Sequence, residues 1–263
     1  MTIRALPRSV VVGLNLLLWG TLLGAAVWWV AGVVGEFQAS ARSTPRFNPP
    51  VWAGQSFISA CSGGFYARGG QTIVLTLSAH CLEPDVRLRD GDGRLMGVSG
   101  PRAELTDCPV GRFCAPSDFL ALALAPDRIP WGHLDHIDMG AGGYRVLAPG
   151  TKPLACGDIR VGDRVEIDGR ERYRSGAVVE IGPYQNATDT MFPCMIVADI
   201  DVGIGDSGGA VLVNGLPAGV IARELGGYMG FTPLAEGLEN LGLTLCTSPD
   251  CNLSPETADQ PEE

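Results

Sequence analysis

From residue 57 onward the sequence breaks into short apolar or alternating runs, and this cadence limits the fold more than any other feature. The runs include FISACSGGFYA, TIVLTLSA, VRLR, FLALALA, RVEID, GAVVEIG, MIVADI, GAVLV and AGVIA. Between them stand RDGDGR, IDGR and VNGL, with the residues that tight turns need. Asn214-Gly215 lies between two apolar runs and is the strongest hairpin signal, because both residues accept a positive φ. Helical periodicity is almost absent until TPLAEGLENLGL. There Thr232 is placed to cap, Pro233 fits the first turn, and Leu234, Leu238 and Leu241 share a face. Many short strands followed by one late helix predict an all-β barrel or sandwich.

A different segment precedes these runs. Val10 to Val34 is 25 residues without a charge. A helix of that length rises about 37 Å, enough to span a bilayer. Arg4 and Arg8 before it favour a cytoplasmic N-terminus. Residues 1–9 therefore read as a cytoplasmic tail, 10–34 as a transmembrane signal anchor and 35–50 as a stiff Pro-containing linker. A small-residue site at Ala39-Ser40-Ala41 keeps a cleaved signal, and a secreted product, as the alternative. Residues 51–246 form the folded domain, and the base-free, proline-rich acidic tail 247–263 reads as disordered. Beyond Gly35 lie 17 of the 19 basic residues and all 29 acids, a net of −12. That balance argues against nucleic acid as a partner and against adsorption to an anionic lipid surface.

The eight cysteines, Cys61, Cys81, Cys108, Cys114, Cys156, Cys194, Cys246 and Cys251, all follow the apolar segment. An even count in an exported domain indicates disulfides, which places the domain on the extracytoplasmic side. Chain order suggests the pairs 61–81, 108–114, 156–194 and 246–251. No pair has the two-residue spacing of a zinc knuckle. The HLDHID segment (His133, Asp135, His136, Asp138) reads as a polar loop in preference to a metal site.

Three distant stretches carry chemistry. In GDSGGAV, Gly205, Gly208 and Gly209 surround Ser207, and such a turn lets backbone N–H groups converge on one point. A serine there needs a neighbour to remove its proton. His80 in TLSAHC, one of three histidines in 263 residues, is the best candidate base. Asp118, heading DFLALAL, is placed to hold that base in one tautomer.

In their order His, Asp, Ser, these stretches resemble the chymotrypsin-like serine proteases, nearest the bacterial streptogrisin-like branch. CSGGFYARGGQTIVLTLSAHC is similar to that branch's opening, and the resemblance runs from about Gln55 to Leu241. It implies two six-stranded antiparallel barrels with the site between them, His80 and Asp118 in the first and Ser207 in the second. It also implies a Cys61–Cys81 disulfide beside His80. Ser207 would be the nucleophile, His80 the general base, Asp118 its orienting acid, and the Gly205 and Ser207 N–H groups the oxyanion hole. The substrate would be a protein or peptide, with no cofactor and no metal. Asp206 would be a buried structural acid, paired with an internal base because no free N-terminus of the animal type is present. Asp201, six residues before Ser207, would be the substrate-pocket acid, with Arg223 and Glu224 placed to neutralise or obstruct it. The alternative function is a catalytically inactive homologue that acts as a membrane-tethered binding domain.

Overall fold

The structure, a computed structural model, describes residues 51–58, 61–102, 106–107, 113–115, 117–169, 172–186, 190–247 and 251. The apolar segment 10–34, its flanks and Cys108 lie outside the described residues. Among the described residues no helix is long and apolar enough to cross a membrane.

The first half contributes β1 (Tyr66–Gly69), β2 (Thr72–Leu77), β3 (Arg87–Arg89), β4 (Leu95–Arg102) and β5 (Leu120–Leu124). The second contributes β6 (Arg164–Gly169), β7 (Arg172–Gln185), β8 (Thr190–Ala198), β9 (Ala210–Val213), β10 (Leu216–Glu224) and β11 (Met229–Pro233). Helix α1 (Leu234–Asn240) and β12 (Thr244–Leu245) follow. The late strand β12 returns to the first half, whose antiparallel sheet runs β12-β1-β2-β5-β4-β3. In the second half the order β7-β6-β9-β10-β11-β8 is closed by pairing of β7 with β8, a complete six-stranded antiparallel barrel. The first sheet has the expected six strands, but β12 and β3 at its ends do not pair with each other among the described residues.

A feature absent from the expectation joins the two halves. Thr106–Asp107 pairs with Phe113–Cys114, which in turn pairs with β8 in parallel, Phe113 opposite Thr190 and Cys114 opposite Met191. This short parallel ladder ties the chain leading to Asp118 onto the second barrel.

Strand β9 shows why the apolar runs are continuous. Ala210 and Leu212 enter one core with Phe65, Leu75, Leu77 and Leu122. Val211 and Val213, on the opposite face, enter the other with Val165, Ile167, Ile196 and Phe231. A strand buried on both faces has no place for a polar alternation. After it, Asn214 (φ 51°) and Gly215 (φ 80°) make the tight turn into β10.

Helix α1 buries Leu234 and Leu238 in the first core, with Leu241 packed against it. Its N-cap is Pro233, and Thr232 belongs to β11. The expected Thr232 cap is not made: Thr232 is held in the strand ladder opposite Val220, and its hydroxyl accepts the Asp118 N–H. The folded unit also continues past the domain end read from sequence. Thr247 and Cys251 are buried, and Cys251 is bonded to Cys246.

Candidate active site

His80 sits just beyond β2, on the single 3-10 turn Ala79–Cys81. The disulfide from Cys81 to Cys61 clamps that turn. The buried Ser78 before it donates its hydroxyl to the Ile221 carbonyl at 2.6 Å. Asp118 Oδ2 lies 2.7 Å from His80 Nδ1. Its side chain is 7% exposed against 44% for His80. A carboxylate only accepts, so the Nδ1 proton is directed at Asp118 and Nε2 is left with its lone pair. Two backbone bonds hold the acid in place. The Asp118 N–H donates to Thr232 Oγ1 (3.3 Å), and its carbonyl accepts from the Ala79 N–H (3.3 Å).

The Ser207 turn is pinned against the same structure. The Ser62 N–H donates to the Ser207 carbonyl and its hydroxyl to the Gly205 carbonyl, both at 2.7 Å. The neighbour of Ser62, Cys61, carries the disulfide to the His80 turn, and the Cys81 sulfur lies 3.9 Å from the Ser207 carbonyl oxygen. Gly208 has φ 83°, and a Cβ there would come within 2.5 Å of the Ser62 carbonyl oxygen, so both its conformation and its space require glycine. The Asp206 and Gly208 N–H groups donate to the Gly203 and Ile221 carbonyls. Among the described residues the Gly205 and Ser207 N–H groups donate to no protein acceptor.

Asp206 meets Arg174 of β7, with Nη2 2.8 Å from Oδ2, and the same oxygen accepts from the Gly203 N–H at 2.9 Å. The other arm of Arg174 donates to the Asp201 carbonyl. One guanidinium thus grips both ends of the 201–206 segment. The start of the domain is occupied elsewhere: Val51 is buried, its N–H bonded to the Arg128 carbonyl and its own carbonyl to the Tyr66 hydroxyl. Sequence reasoning required an internal base for Asp206 without naming one, since Arg174 is brought there only by the register of β7.

No protein-family model matches the chain, and no curated protein matches it. Solved structures do. A chymotrypsin from Cellulomonas bogoriensis superposes with a TM-score of 0.56 over 76% of this chain and 100% of that one, at 17% identity. Protease A of Thermobifida fusca gives 0.57 over 76% and 100%, at 18% identity. A Nocardiopsis protease gives 0.55 over 74% and 98%, at 16% identity. The fold is chymotrypsin-like.

Within this chymotrypsin-like fold neither Arg223 nor Glu224 bonds to Asp201 among the described residues. Asp201 is exposed, and no side-chain bond to it is formed among the described residues. Arg223 does not reach it. Its Nη1 donates to the Tyr184 hydroxyl (3.3 Å), and its guanidinium lies 4.9 Å from the Tyr184 ring centre and 5.8 Å from that of Phe192. Glu224 instead accepts from the Gly227 N–H and closes its own turn. A cavity of about 430 Å³ opens beside Tyr184, lined also by Glu180, Met195, Val197, Leu225 and Tyr228. Asp201 does not line it.

Of the disulfides suggested by chain order, Cys61–Cys81, Cys156–Cys194 and Cys246–Cys251 are formed. Cys114 is also disulfide-bonded, while Cys108 lies outside the described residues. The only group of three metal-ligating side chains among the described residues is Cys61, His80 and Cys81, and both of its sulfurs are spent in the disulfide. At HLDHID, His133 and His136 stack edge to face (4.8 Å), and His136 Nδ1 lies 2.9 Å from Asp135 Oδ1.

Proposed function

We propose that the protein is a serine endopeptidase working through an acyl-enzyme. Ser207 Oγ attacks a peptide carbonyl while His80 Nε2 takes its proton. Asp118 keeps the imidazole in that tautomer and stabilises the imidazolium that results. The negative charge that develops on the carbonyl oxygen is met by the Gly205 and Ser207 N–H groups, which have no other acceptor among the described residues. The imidazolium then gives its proton to the leaving amine, and water repeats the sequence to release the acid product. The observation that carries this reading is the 2.7 Å contact of His80 with a buried Asp118, on a turn clamped to the Ser207 loop by the adjacent residues Cys61 and Ser62. Each oxyanion donor contributes about 3 kcal/mol to such a transition state.

Asp201 is our candidate for the acid that selects a basic residue before the scissile bond. Its standing improves because Arg223 and Glu224 are both engaged elsewhere. Residues 10–34 would anchor the protease domain on the extracytoplasmic side of a membrane, and three disulfides fit an oxidising compartment.

The direct test is labelling of the full-length protein with a fluorophosphonate probe. Wild type should label, and Ser207→Ala and His80→Ala should not. An unlabelled wild type, or labelling unchanged in Ser207→Ala, ends the protease reading.

A further inference from the structure

Arg223 is a cation held ready without a partner anion. No carboxylate among the described residues pairs with it, although Glu180 lines the cavity beside Tyr184 and Glu224 is its neighbour in sequence. Its Nε is buried without an acceptor, and the Tyr184 hydroxyl occupies only Nη1 of a group with five N–H donors. Three other cations around the second barrel have acids: Arg174 meets Asp206, and Arg145 and Arg164 meet Glu166, while Arg160 bonds the Gly157 and Ile159 carbonyls. Arg223 has two aromatic rings instead. They fix the guanidinium plane and supply attraction without neutralising it.

Its position connects it to Ser207. The Ile221 carbonyl accepts the N–H of Gly208, the residue after Ser207, and Arg223 lies two residues further along β10. A bulge between Ile221 and Arg223 interrupts the ladder. Such bulges re-aim side chains beside active sites. Ile221 remains in the barrel core, while Ala222 joins Ala115, Phe192 and Met195 in a small outer cluster with Tyr184 against it. Ala115 belongs to the segment leading to Asp118, and its N–H is bonded to the Met191 carbonyl. Arg223 therefore stands on the seam between the arm that carries Asp118 and the arm that carries Ser207.

We infer that Arg223 is a specificity residue that binds an acidic side chain of the peptide substrate, away from the scissile bond. This rests on the proposed peptidase site, since it is a peptide bound at Ser207 that would pass Arg223. Extended chain advances about 3.3 Å per residue, so an Asp or Glu two or three positions from the scissile bond would sit about 7–10 Å along the peptide from it, and that is the range of positions the inference assigns to Arg223. The carboxylate would accept from the unused guanidinium donors in a charge-assisted pair.

The test separates recognition from turnover. Binding of fluorescent positional-scanning peptides to full-length Ser207→Ala is compared for Asp/Glu against Asn/Gln at each position, and cleavage of the same peptides by the Ser207 protein is followed in parallel. One acidic position should strengthen binding roughly tenfold, the scale of one hydrogen bond to a charged group. Arg223→Gln in that background should abolish the preference, Arg223→Lys should retain part of it, and Arg223→Glu should transfer it to Lys at the same position. An acid preference that survives Arg223→Gln and Arg223→Glu, or equal binding of acid and amide peptides, overturns the inference. Arg223-dependent binding with no cleavage by the Ser207 protein upholds Arg223 as the residue that binds the acidic side chain of a bound peptide and sinks the peptidase reading alone.

Discussion

Arg174 and Asp206 form a largely buried ion pair, 2.8 Å from Nη2 to Oδ2, with side chains 16% and 5% exposed. The same arginine bonds the Asp201 carbonyl, so the loop that presents Ser207 is held from the neighbouring strand.

Arg174→Met should therefore be far more damaging than loss of a surface cation. Removing one partner of a buried pair strands the other charge and costs about 3–5 kcal/mol. Denaturant unfolding should show that loss, and fluorophosphonate labelling should slow by more than the folded fraction accounts for. Labelling as fast as wild type would separate the ion pair from the working of the Ser207 loop. Proteolytic trimming before Val51 should leave labelling of the wild type unchanged.

Thr232 offers a subtler test. Its hydroxyl accepts the Asp118 N–H, and Thr232→Val removes the acceptor from a buried donor. The expected stability loss is about 1–3 kcal/mol. The pH profile of labelling should also move, because Asp118 is then freer to leave His80. Thr232→Ser should restore the wild-type profile, and a profile unmoved by the valine would make Thr232 merely structural.

Gly208→Ala should not yield a competent site. The positive φ and the 2.5 Å approach of a new Cβ to the Ser62 carbonyl oppose any side chain there. Gly157→Ala, where a Cβ meets nothing within 4 Å, serves as the control and should unfold like wild type.

Stability should fall in acid partly through Glu166. The Tyr173 hydroxyl, then Arg164 and Arg145, hold its carboxyl below the ordinary glutamate range. A carboxyl whose folded pKa is depressed adds stability above its unfolded pKa of about 4.3, and loses it as pH falls through the folded value. Glu166→Gln should accordingly be less stable than wild type near neutrality, with the gap closing as pH drops below about 4. A gap that stays constant with pH would remove Glu166 from the acid response.

The features legible in the sequence are those written in adjacent residues. The Asn214-Gly215 turn, the apolar run at β9, and the motifs around His80, Asp118 and Ser207 each depend on neighbours along the chain. Arg174, Thr232 and Tyr184 were out of reach for a common reason. Each comes to its partner through the register of strands far apart in sequence, and an arginine on an alternating strand looks the same whether it faces water or Asp206. The Thr232 cap failed for the same cause: a threonine before proline satisfies the local rule for a helix start, and only the fold supplies the competing Asp118 N–H. The parallel ladder of Phe113–Cys114 with β8 was equally hidden, since two residues of pairing leave no periodicity to read.

The strand shared by the two cores has a consequence for how errors show themselves. Ala210 and Leu212 face one interior and Val211 and Val213 the other. Sliding that strand by one position would swap the tenants of both interiors. The slide would also carry Ser207, three residues upstream, about 3.3 Å along the strand direction. Packing thus acts as a vernier for Ser207: a slip of this strand that misplaced Ser207 would also pack both interiors badly.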